Sequence, residues 1–390
     1  MRLYEHQAKA ILSSHHIPVP PGRVVETAEG AERAWLDLGG EVMIKAQVLS
    51  GGRGKAGAVR RVSTAQEARG VAAELLGISV AGLPVRKLLV EAAVSIAQEC
   101  YVAILTDATQ AAPLVMLSSA GGIEIESLAR EHPGSLVRMT IDVLDGLRPY
   151  HSRWLLSRAQ FPPAAREDMV TLLATLYRIY CEYDARLLEI NPLAITEQGE
   201  LVALDARMIV DDNALARQPR LREWRELNPA EREAERARIN YVSLPDAPAD
   251  EGRPRIGIIG TGAGMAMANM DQVAYFGGQP ANFMDVGPGM MTGGARTAME
   301  ILLRRNDLDA ILVSGYSAGP LEIMARDVVE ALAAHPEKRL PVVVRLQGHH
   351  DVEARAVLEN CTDARLHLAD DFDEAARRVV ALAGQQEVPT

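Results

Sequence analysis

From residue 255 onward, short unbroken apolar runs alternate with longer amphipathic ones. Arg255–Gly260 reads as a buried strand and Ala281–Val286 as a second. Leu308–Val313 and Leu340–Leu346 are clearer, and Arg365–Leu368 is a short fifth. Helical periodicity fills the intervals, as from Pro320 to His335. A strand that is apolar on both sides must be covered on both sides, so the alternation predicts an α/β, doubly wound parallel sheet. Glycine-rich turns follow the strands at Gly260–Gly264, Gly287–Gly289 and Ser314–Gly319. In such sheets ligands bind beyond the carboxyl ends of the strands.

The first 240 residues follow another pattern. Strands are expected at Glu41–Lys45, Leu88–Ala92, Tyr101–Thr106, Leu114–Ser118, Ala185–Ile190 and Glu200–Asp205. Helices are expected over residues 4–14, 28–38, 65–76 and 164–182. A short turn at Gln198-Gly199 between two apolar runs predicts an antiparallel hairpin, so this half is α+β. Residues 220–239 are dense in Arg and Glu and read as a solvated helix crossing between domains. Ser243–Pro254 holds three prolines without a hydrophobic period and reads as a linker. The expected division is a first domain over 1–239, a linker over 240–254 and a second domain over 255–390.

Length and composition narrow the functions available. A chain of 390 residues has room for two or three domains with their own cores. The net charge of -11 argues against broad nucleic-acid affinity, so any cationic site is local and suits a small anion. No apolar stretch approaches the roughly 20 residues of a membrane span. Met1–His6 has no apolar signal core, and a cytoplasmic location is expected. Cys100, Cys181 and Cys361 are far apart and lack metal spacing; their apolar neighbours predict buried free thiols. His349-His350 is a poor joint metal ligand, because adjacent side chains do not share a face.

The candidate chemistry begins at Lys45, which ends an apolar strand, and continues in Gly51-Gly52-Arg53-Gly54-Lys55-Ala56-Gly57. Glycines let backbone N–H groups approach an oligophosphate, and the cations neutralise it. The usual phosphate-loop pattern G-x-x-x-x-G-K-[ST] is absent, and a surface turn without a ligand is the alternative for the loop taken alone. Glu189-Ile190-Asn191-Pro192 ends one strand and Asp205 the next, so the hairpin should bring Asn191 and Asp205 together. Both are hard oxygen donors suited to Mg²⁺. With Lys45 and Arg53 they make a plan for a metal–nucleoside triphosphate, in which Glu91 accepts hydrogen bonds from base or ribose. Gly260-x-Gly262-x-Gly264 fails as a dinucleotide fingerprint, since Met265 breaks the pattern and no suitable acidic residue follows.

These residues carry a family resemblance. Leu3-Tyr4-Glu5-His6-Gln7-Ala8-Lys9, Lys45-Ala46-Gln47, the Gly51–Gly57 loop, Val90-Glu91-Ala92, Gly121–Glu126, Leu188–Leu193, Asp212–Leu215, Gly262–Met267, Pro280–Gly287 and Val342–Leu346 resemble, in order, the β subunit of succinyl-CoA synthetase. The resemblance implies an ATP-grasp nucleotide-binding domain, with a smaller subdomain about 21–98, followed by a flavodoxin-like domain. It implies ATP or GTP as substrate with Mg²⁺. Lys45, Gly52, Arg53, Gly54, Glu91, Val94 and Glu99 would contact nucleotide, and Asn191 and Asp205 would contact the metal. Glu189 takes the catalytic position that steadies a phosphohistidine, and a carboxylate on an imidazole fixes its tautomer. That histidine and the CoA site belong to an α subunit, in an αβ or α2β2 assembly. Thr261, Ala318, Gly319 and Pro320 would face the acid and the partner.

The acid-binding end departs from the family. Thr261 stands where the family has asparagine, and Ser314–Pro320 replaces N-I-F-G-G-I or N-I-F-A-G-I. The basic residue that follows in the family is missing, with Leu321 and Glu322 nearby. R-L-E-G-N reads Arg345-Leu346-Gln347-Gly348-His349. Pro320 still suits a first helical turn, so a helix N-terminus for an anion is expected there. A retained phosphoryl transfer with a changed acid, whether succinate, malate or another polar acid, is the leading expectation; drift in loops where only the backbone matters is the alternative. A regulatory nucleotide binder and a stand-alone carboxylate–amine ligase are the competing functions.

Overall fold

The computed structural model describes residues 1–50, 53–54, 56–123, 125, 130, 134–244 and 252–384. The chain folds as two compact units, Met1–Arg225 and Glu226–Thr390.

The first unit has two cores. The smaller one lies on an antiparallel sheet of β1 (Gly22–Val25), β2 (Val42–Ala46), β3 (Val59–Val62) and β6 (Leu88–Ala92), ordered β1-β6-β2-β3. A short hairpin, β4 (Ser79–Val80) and β5 (Leu83–Pro84), precedes β6. Helices Ala28–Leu38 and Ala65–Leu76 start at threonines whose hydroxyls accept from Gly30 N and Glu67 N. Their buried alanines (31, 34, 68 and 72) join Ile44, Leu88 and Val90 in this core.

The larger sheet contains β7 (Ile96–Asp107), β8 (Ala112–Ser118), β9 (Val137–Thr140), β10 (Ala185–Thr196) and β11 (Leu201–Ala203), ordered β11-β10-β7-β8-β9. β12 (Arg207–Val210) pairs with the first half of β10, and every pairing is antiparallel. Helix Arg166–Glu182 buries Met169, Leu173, Leu176 and Ile179 in this core. Helix Glu5–Ser14 buries Ala8, Ile11 and Leu12, and on the same side hides Glu5 and Lys9. Two charges inside an otherwise apolar helix face need partners, and the candidate site supplies them.

The second unit is the expected doubly wound sheet. β13 (Asn240–Ser243), β14 (Arg255–Gly260), β15 (Gln279–Pro280), β16 (Asn282–Asp285), β17 (Ala310–Ser317), β18 (Val342–Gly348) and β19 (Leu366–Leu368) form the order β13-β16-β14-β17-β18-β19, with β15 on β14. All pairings except that of β13 are parallel. Without the added edge strand, the order is the flavodoxin-like 2-1-3-4-5, which reverses between β14 and β17. Helices Ala263–Tyr275 and Phe372–Ala383 cover one face. Helices Gly294–Leu303, Leu321–Ala334 and Asp351–Glu359 contribute to the core on the other.

Three expectations change. Residues 220–239 are not one helix: Pro219–Glu223 stops, and Asn228 opens a new helix, Pro229–Arg236, through a reciprocal cap with Glu231. Ala234 and Ile239 of that segment lie in the core of the second unit, so the units part at 225 rather than 239. The stretch taken as linker begins with β13, which pairs with β16; residues 245–251 lie outside the described residues. Of the cysteines, only Cys100 is buried; Cys181 is exposed and Cys361 partly so, and all three are free. Burial, with the Glu99 charge beside it, pushes the Cys100 thiol up to about 12.

Asn282 ties β16 to β14 where no backbone ladder joins them. Its amide accepts from Ile258 N at 3.1 Å and donates to Ile258 O at 2.8 Å, with the side chain fully buried. Asn282→Ala leaves two buried backbone groups unpaired and should destabilise the second unit by about 3 kcal/mol. The measurement is the urea midpoint of that unit's unfolding; an unchanged midpoint would show that the bridge is dispensable.

Candidate functional site

The site is a cleft of about 1430 Å³ in the first unit. Its floor is made by five segments distant in sequence: the first helix, β2, the loop after β2, β6, and the stretch after β11. Lys45 is the fourth residue of β2, where the strand pairs with Leu89 on one side and Val59 on the other. Its Nζ lies 2.5 Å from Glu91, 3.1 Å from Glu5 and 2.5 Å from the Leu204 carbonyl. Lys9 Nζ lies 2.9 Å from Glu5, 2.6 Å from Glu91 and 2.7 Å from the same carbonyl. Arg53 donates to Glu5 at 2.5 Å and to both oxygens of Asp205 at 2.8 Å. Three cations thus meet three carboxylates. Among these side chains only that of Asp205 is substantially open to solvent, at 36%.

Burial shapes the charges here, and the neighbours decide the direction. Desolvation opposes ionisation of Glu5, but Lys45, Lys9 and Arg53 outweigh it and hold its carboxyl far below the usual range. Desolvation likewise opposes the charges of Lys45 and Arg53. Glu5 and Glu91 outweigh it for Lys45, and Asp205 and Glu5 for Arg53, so both stay cationic above their ordinary range. Asp205 goes the other way: burial and then the Glu5 charge push its carboxyl up despite Arg53.

Asp205 lies two residues past the end of β11. The β10–β11 register pairs Leu193 with Ala203 and bonds Leu204 N to Pro192 O, which sets Asn191 opposite Asp205. Asn191 also caps the loop after β8, accepting from Gly122 N at 2.9 Å and donating to Ile123 O at 3.0 Å. That loop presses on β7. A Cβ on Gly122, whose φ is +72°, would sit 1.9 Å from Glu99 Oε2, and one on Gly121 would sit 2.2 Å from Cys100 O. Glycine is required at both positions. Glu189 lies in β10 opposite Ala103 and Arg207, with its carboxylate 3.8 Å from the Arg207 guanidinium.

The cleft is lined by Lys45, Arg53, Gly54, Glu91, Val94, Glu99, Glu189, Asn191 and Asp205 together. Gly52 lies outside the described residues. Glu91 is 2% exposed, and Lys9 and Lys45 take its two oxygens, so in this structure it orders Lys45 rather than standing open for a base or ribose. The sequence reading gave no role to Glu5 or Lys9. The signal was available in Glu5-x-x-x-Lys9, an oppositely charged i,i+4 pair on the helix side that also carries Ala8 and Leu12.

Thr261, Ala318, Gly319 and Pro320 lie in the second unit, on the turns after β14 and β17. Thr261 is buried, and its hydroxyl donates to the Tyr316 carbonyl at 2.8 Å. Pro320 is the cap residue of helix Leu321–Ala334, not part of its first turn. The anion cradle expected there is partly filled: Gly319 N donates to Ser317 Oγ and Leu321 N to the His349 carbonyl. Glu322 in the first turn pairs with His350 at 3.0 Å.

Comparison with known proteins agrees with this architecture. A family described as an ATP-grasp domain matches residues 2–195, and one described as CoA-ligase matches residues 259–381. The chain is 38% identical over 389 residues to the succinate–CoA ligase [ADP-forming] subunit beta of Rubrobacter xylanophilus, covering 98% of this chain and 99% of that one. It is 38% identical over 388 residues to the GDP-forming β subunit of Thermus thermophilus, with the same coverage. The ADP-forming β subunit of Ignicoccus hospitalis is 40% identical over 386 residues, again with 98% and 99% covered. Among solved structures, ATP citrate lyase from Methanothrix soehngenii, in complex with citrate and coenzyme A, has a TM-score of 0.74 at 18% identity over 99% of both chains, a likeness of fold. Over its whole length, then, the chain belongs to the β-subunit family of ADP- and GDP-forming succinate–CoA ligases, nucleotide-dependent acid–CoA ligases with an ATP-grasp half and a CoA-ligase half.

Proposed function

We propose that this β subunit holds a nucleoside triphosphate in the first-unit cleft and directs its γ-phosphoryl group to a histidine of an α partner. From there the group activates a carboxylic acid, and CoA displaces it as the thioester. The single observation that carries this reading is the convergence of Lys45, Arg53, Glu189, Asn191 and Asp205 on one cavity of about 1430 Å³. Either ATP or GTP is compatible with that cavity. Succinate is the acid named for the relatives; the altered turns favour a more polar one, such as malate.

The residues divide the work by charge. Lys45 and Arg53 offer Nζ and guanidinium to phosphate oxygens, and Gly52 and Gly54 let the loop backbone come close. Val94 and Glu99 wall the same cleft. Asn191 Oδ1 and the Asp205 carboxylate fit Mg²⁺: both are hard oxygens on the cleft wall, on facing positions of β10 and the segment after β11. Bound Mg²⁺ supplies neutralisation of the phosphate oxygens. Glu189 accepts a hydrogen bond from the incoming imidazole and so fixes its tautomer. The chain contributes positioning and electrostatics; the covalent nucleophile comes from the partner. Assembly is αβ or its dimer.

The cations that this reading assigns to phosphate are paired with carboxylates of the same cleft, Lys45 with Glu5 and Glu91 and Arg53 with Glu5 and Asp205.

Three outcomes test this. Incubated with γ-labelled ATP, Mg²⁺ and its α partner, the chain should place label on the partner's histidine, and Asp205→Asn should abolish that. Turnover without any partner, or nucleotide binding with no transfer, would overturn the proposal. Arg53→Ala should raise the nucleotide KM by about a hundredfold, the scale of a lost charge-assisted contact, while Mg-free folding persists by circular dichroism. Glu5→Gln should cost about 3 kcal/mol at neutral pH, because it leaves buried cations short of a partner. Glu5 has a depressed folded-state pKa, so its contribution is present above the unfolded value of about 4.3 and is lost as pH falls through the lower folded value. The gap between Glu5→Gln and wild type in urea titrations should close below pH ~4; a pH-independent gap would refute this electrostatic account.

A further inference from the structure

Arg207 stands apart from the other cations that line the cleft. Lys45 and Arg53 are saturated by carboxylates and carbonyls of the chain itself. Arg61 turns to Glu41, and Arg2 donates to the Leu49 carbonyl. The Arg207 guanidinium makes one ion pair among the described residues, to Glu189 at 3.8 Å, and its side chain is 48% exposed. At that separation the two attract each other without a hydrogen bond. The N–H donors of Arg207 remain for other oxygens.

Strand pleating places those donors. Along β10, Leu188 and Ile190 are buried in the core, whereas Leu187, Glu189 and Asn191 line the cleft. Past β11 the same alternation buries Ala206, Met208 and Val210 and leaves the Asp205 and Arg207 side chains in the cleft. Glu189 and Arg207 are register partners, as Asn191 and Asp205 face each other one row away. Residues two apart on a strand are spaced by about 7 Å. The row of Glu189 and Arg207 is therefore the next one along the sheet from the row assigned to the nucleotide phosphates. A phosphoryl group that leaves that first row for an imidazole held at Glu189 comes within reach of the Arg207 guanidinium.

We infer that Arg207 is a catalytic residue of the phosphoryl transfer, donating to the oxygens of the γ-phosphoryl group as it passes from the nucleotide to the partner's histidine. The lone pair of one imidazole nitrogen forms the N–P bond. The P–O bond to the β-phosphate breaks, and its electron pair leaves on the nucleoside diphosphate. The proton on the other ring nitrogen stays there, hydrogen-bonded to Glu189. Arg207 makes and breaks no covalent bond. Its planar fork matches two phosphoryl oxygens at once, and the transferring group carries its charge on those oxygens. Glu189 holds the guanidinium beside the path of transfer without consuming its donors. This rests on the phosphoryl-transfer reading and adds to it the group that stabilises the phosphoryl in flight.

The test is single-turnover labelling of the α partner's histidine by the full-length chain with γ-labelled ATP and Mg²⁺. Arg207→Ala should slow labelling at least about a hundredfold and slow return of the phosphoryl group to ADP by the same factor. Mg–ATP affinity by calorimetry should stay within about threefold of wild type, because the contact is made in the transition state. Arg207→Lys should recover only part of the rate, since an ammonium cannot make the two-pronged contact. Trapping gives a readout apart from turnover. With the partner, wild type should retain ADP together with fluoroaluminate, a mimic of the phosphoryl in flight, and Arg207→Ala should retain ADP alone. Unchanged labelling by Arg207→Ala overturns the inference, and so does weaker nucleotide binding at an unchanged rate. If Arg207 only positions Glu189, its removal has no further effect in a Glu189→Gln background; the inference expects at least about another tenfold loss there. No labelling by wild type removes the phosphoryl-transfer reading and the inference with it, whereas equal labelling by wild type and Arg207→Ala removes the inference alone.

Discussion

The first unit is organised around a charge balance that cannot be relaxed one residue at a time. Lys9, Lys45 and Arg53 are buried against Glu5, Glu91 and Asp205, and removing any member strands its partners in a poorly solvated cleft. The network joins the first helix, β2, the loop after it, β6 and the segment after β11. It therefore fixes how the small sheet and the large sheet of this unit meet. Apolar packing gives each sheet a core of its own, but neither core includes these residues. The contacts among these charged side chains, which join segments of both sheets, are ionic.

That arrangement has a functional consequence in its net charge. Three cations and three carboxylates sum to neutrality, so the cleft does not simply attract anions. Burial and the Glu5 charge raise the Asp205 carboxyl, and Arg53, Lys45 and Lys9 oppose that shift. The cations are already held at fixed points by Glu5, Glu91 and the Leu204 carbonyl. These contacts leave those side chains little rotational freedom.

Most of the fold was legible because its signals are local. The apolar runs at Arg255–Gly260 and Leu340–Leu346 and the capped helices at Thr27 and Thr64 follow from periodicity and end residues. Where the reading failed, tertiary context decided. Residues 240–243 look like linker, yet they form β13 because β16 offers an unpaired edge. Residues 220–239 read as one solvated helix crossing between domains, yet Ala234 and Ile239 lie in the core of the second unit, with Ala230 and Ala237 packed against it. The candidate site was legible where its residues lie near strand ends, as Lys45 and Glu91 do; Asn191 was expected to end a strand but lies inside β10, where the pairing with β7 shifts register between Ile190 and Leu193. Glu5 and Lys9 escaped because a buried charge on an amphipathic helix looks like a solvated one until its partners, 40 to 200 residues away, are placed. The Asn282 bridge and the cap of Asn191 on Gly122 were equally invisible, since each depends on which backbone groups the ladders leave over.

The two units differ in how their candidate residues are held. In the first, the three cations and three carboxylates of the cleft are paired across five segments, so a single substitution among them costs stability as well as function. In the second, the altered positions lie on turns at the carboxyl ends of the strands, where Thr261 and Ser317 satisfy backbone groups and the sheet beneath is unaffected. Substitution there is cheap for folding and changes what the turns can recognise. Gln347 is the informative case. Replacing a carboxylate with an amide keeps a hydrogen bond to Arg345 and leaves its charge unbalanced. The Phe372 ring under the guanidinium and the Asp371 carboxylate acting across space are what else stands against that charge.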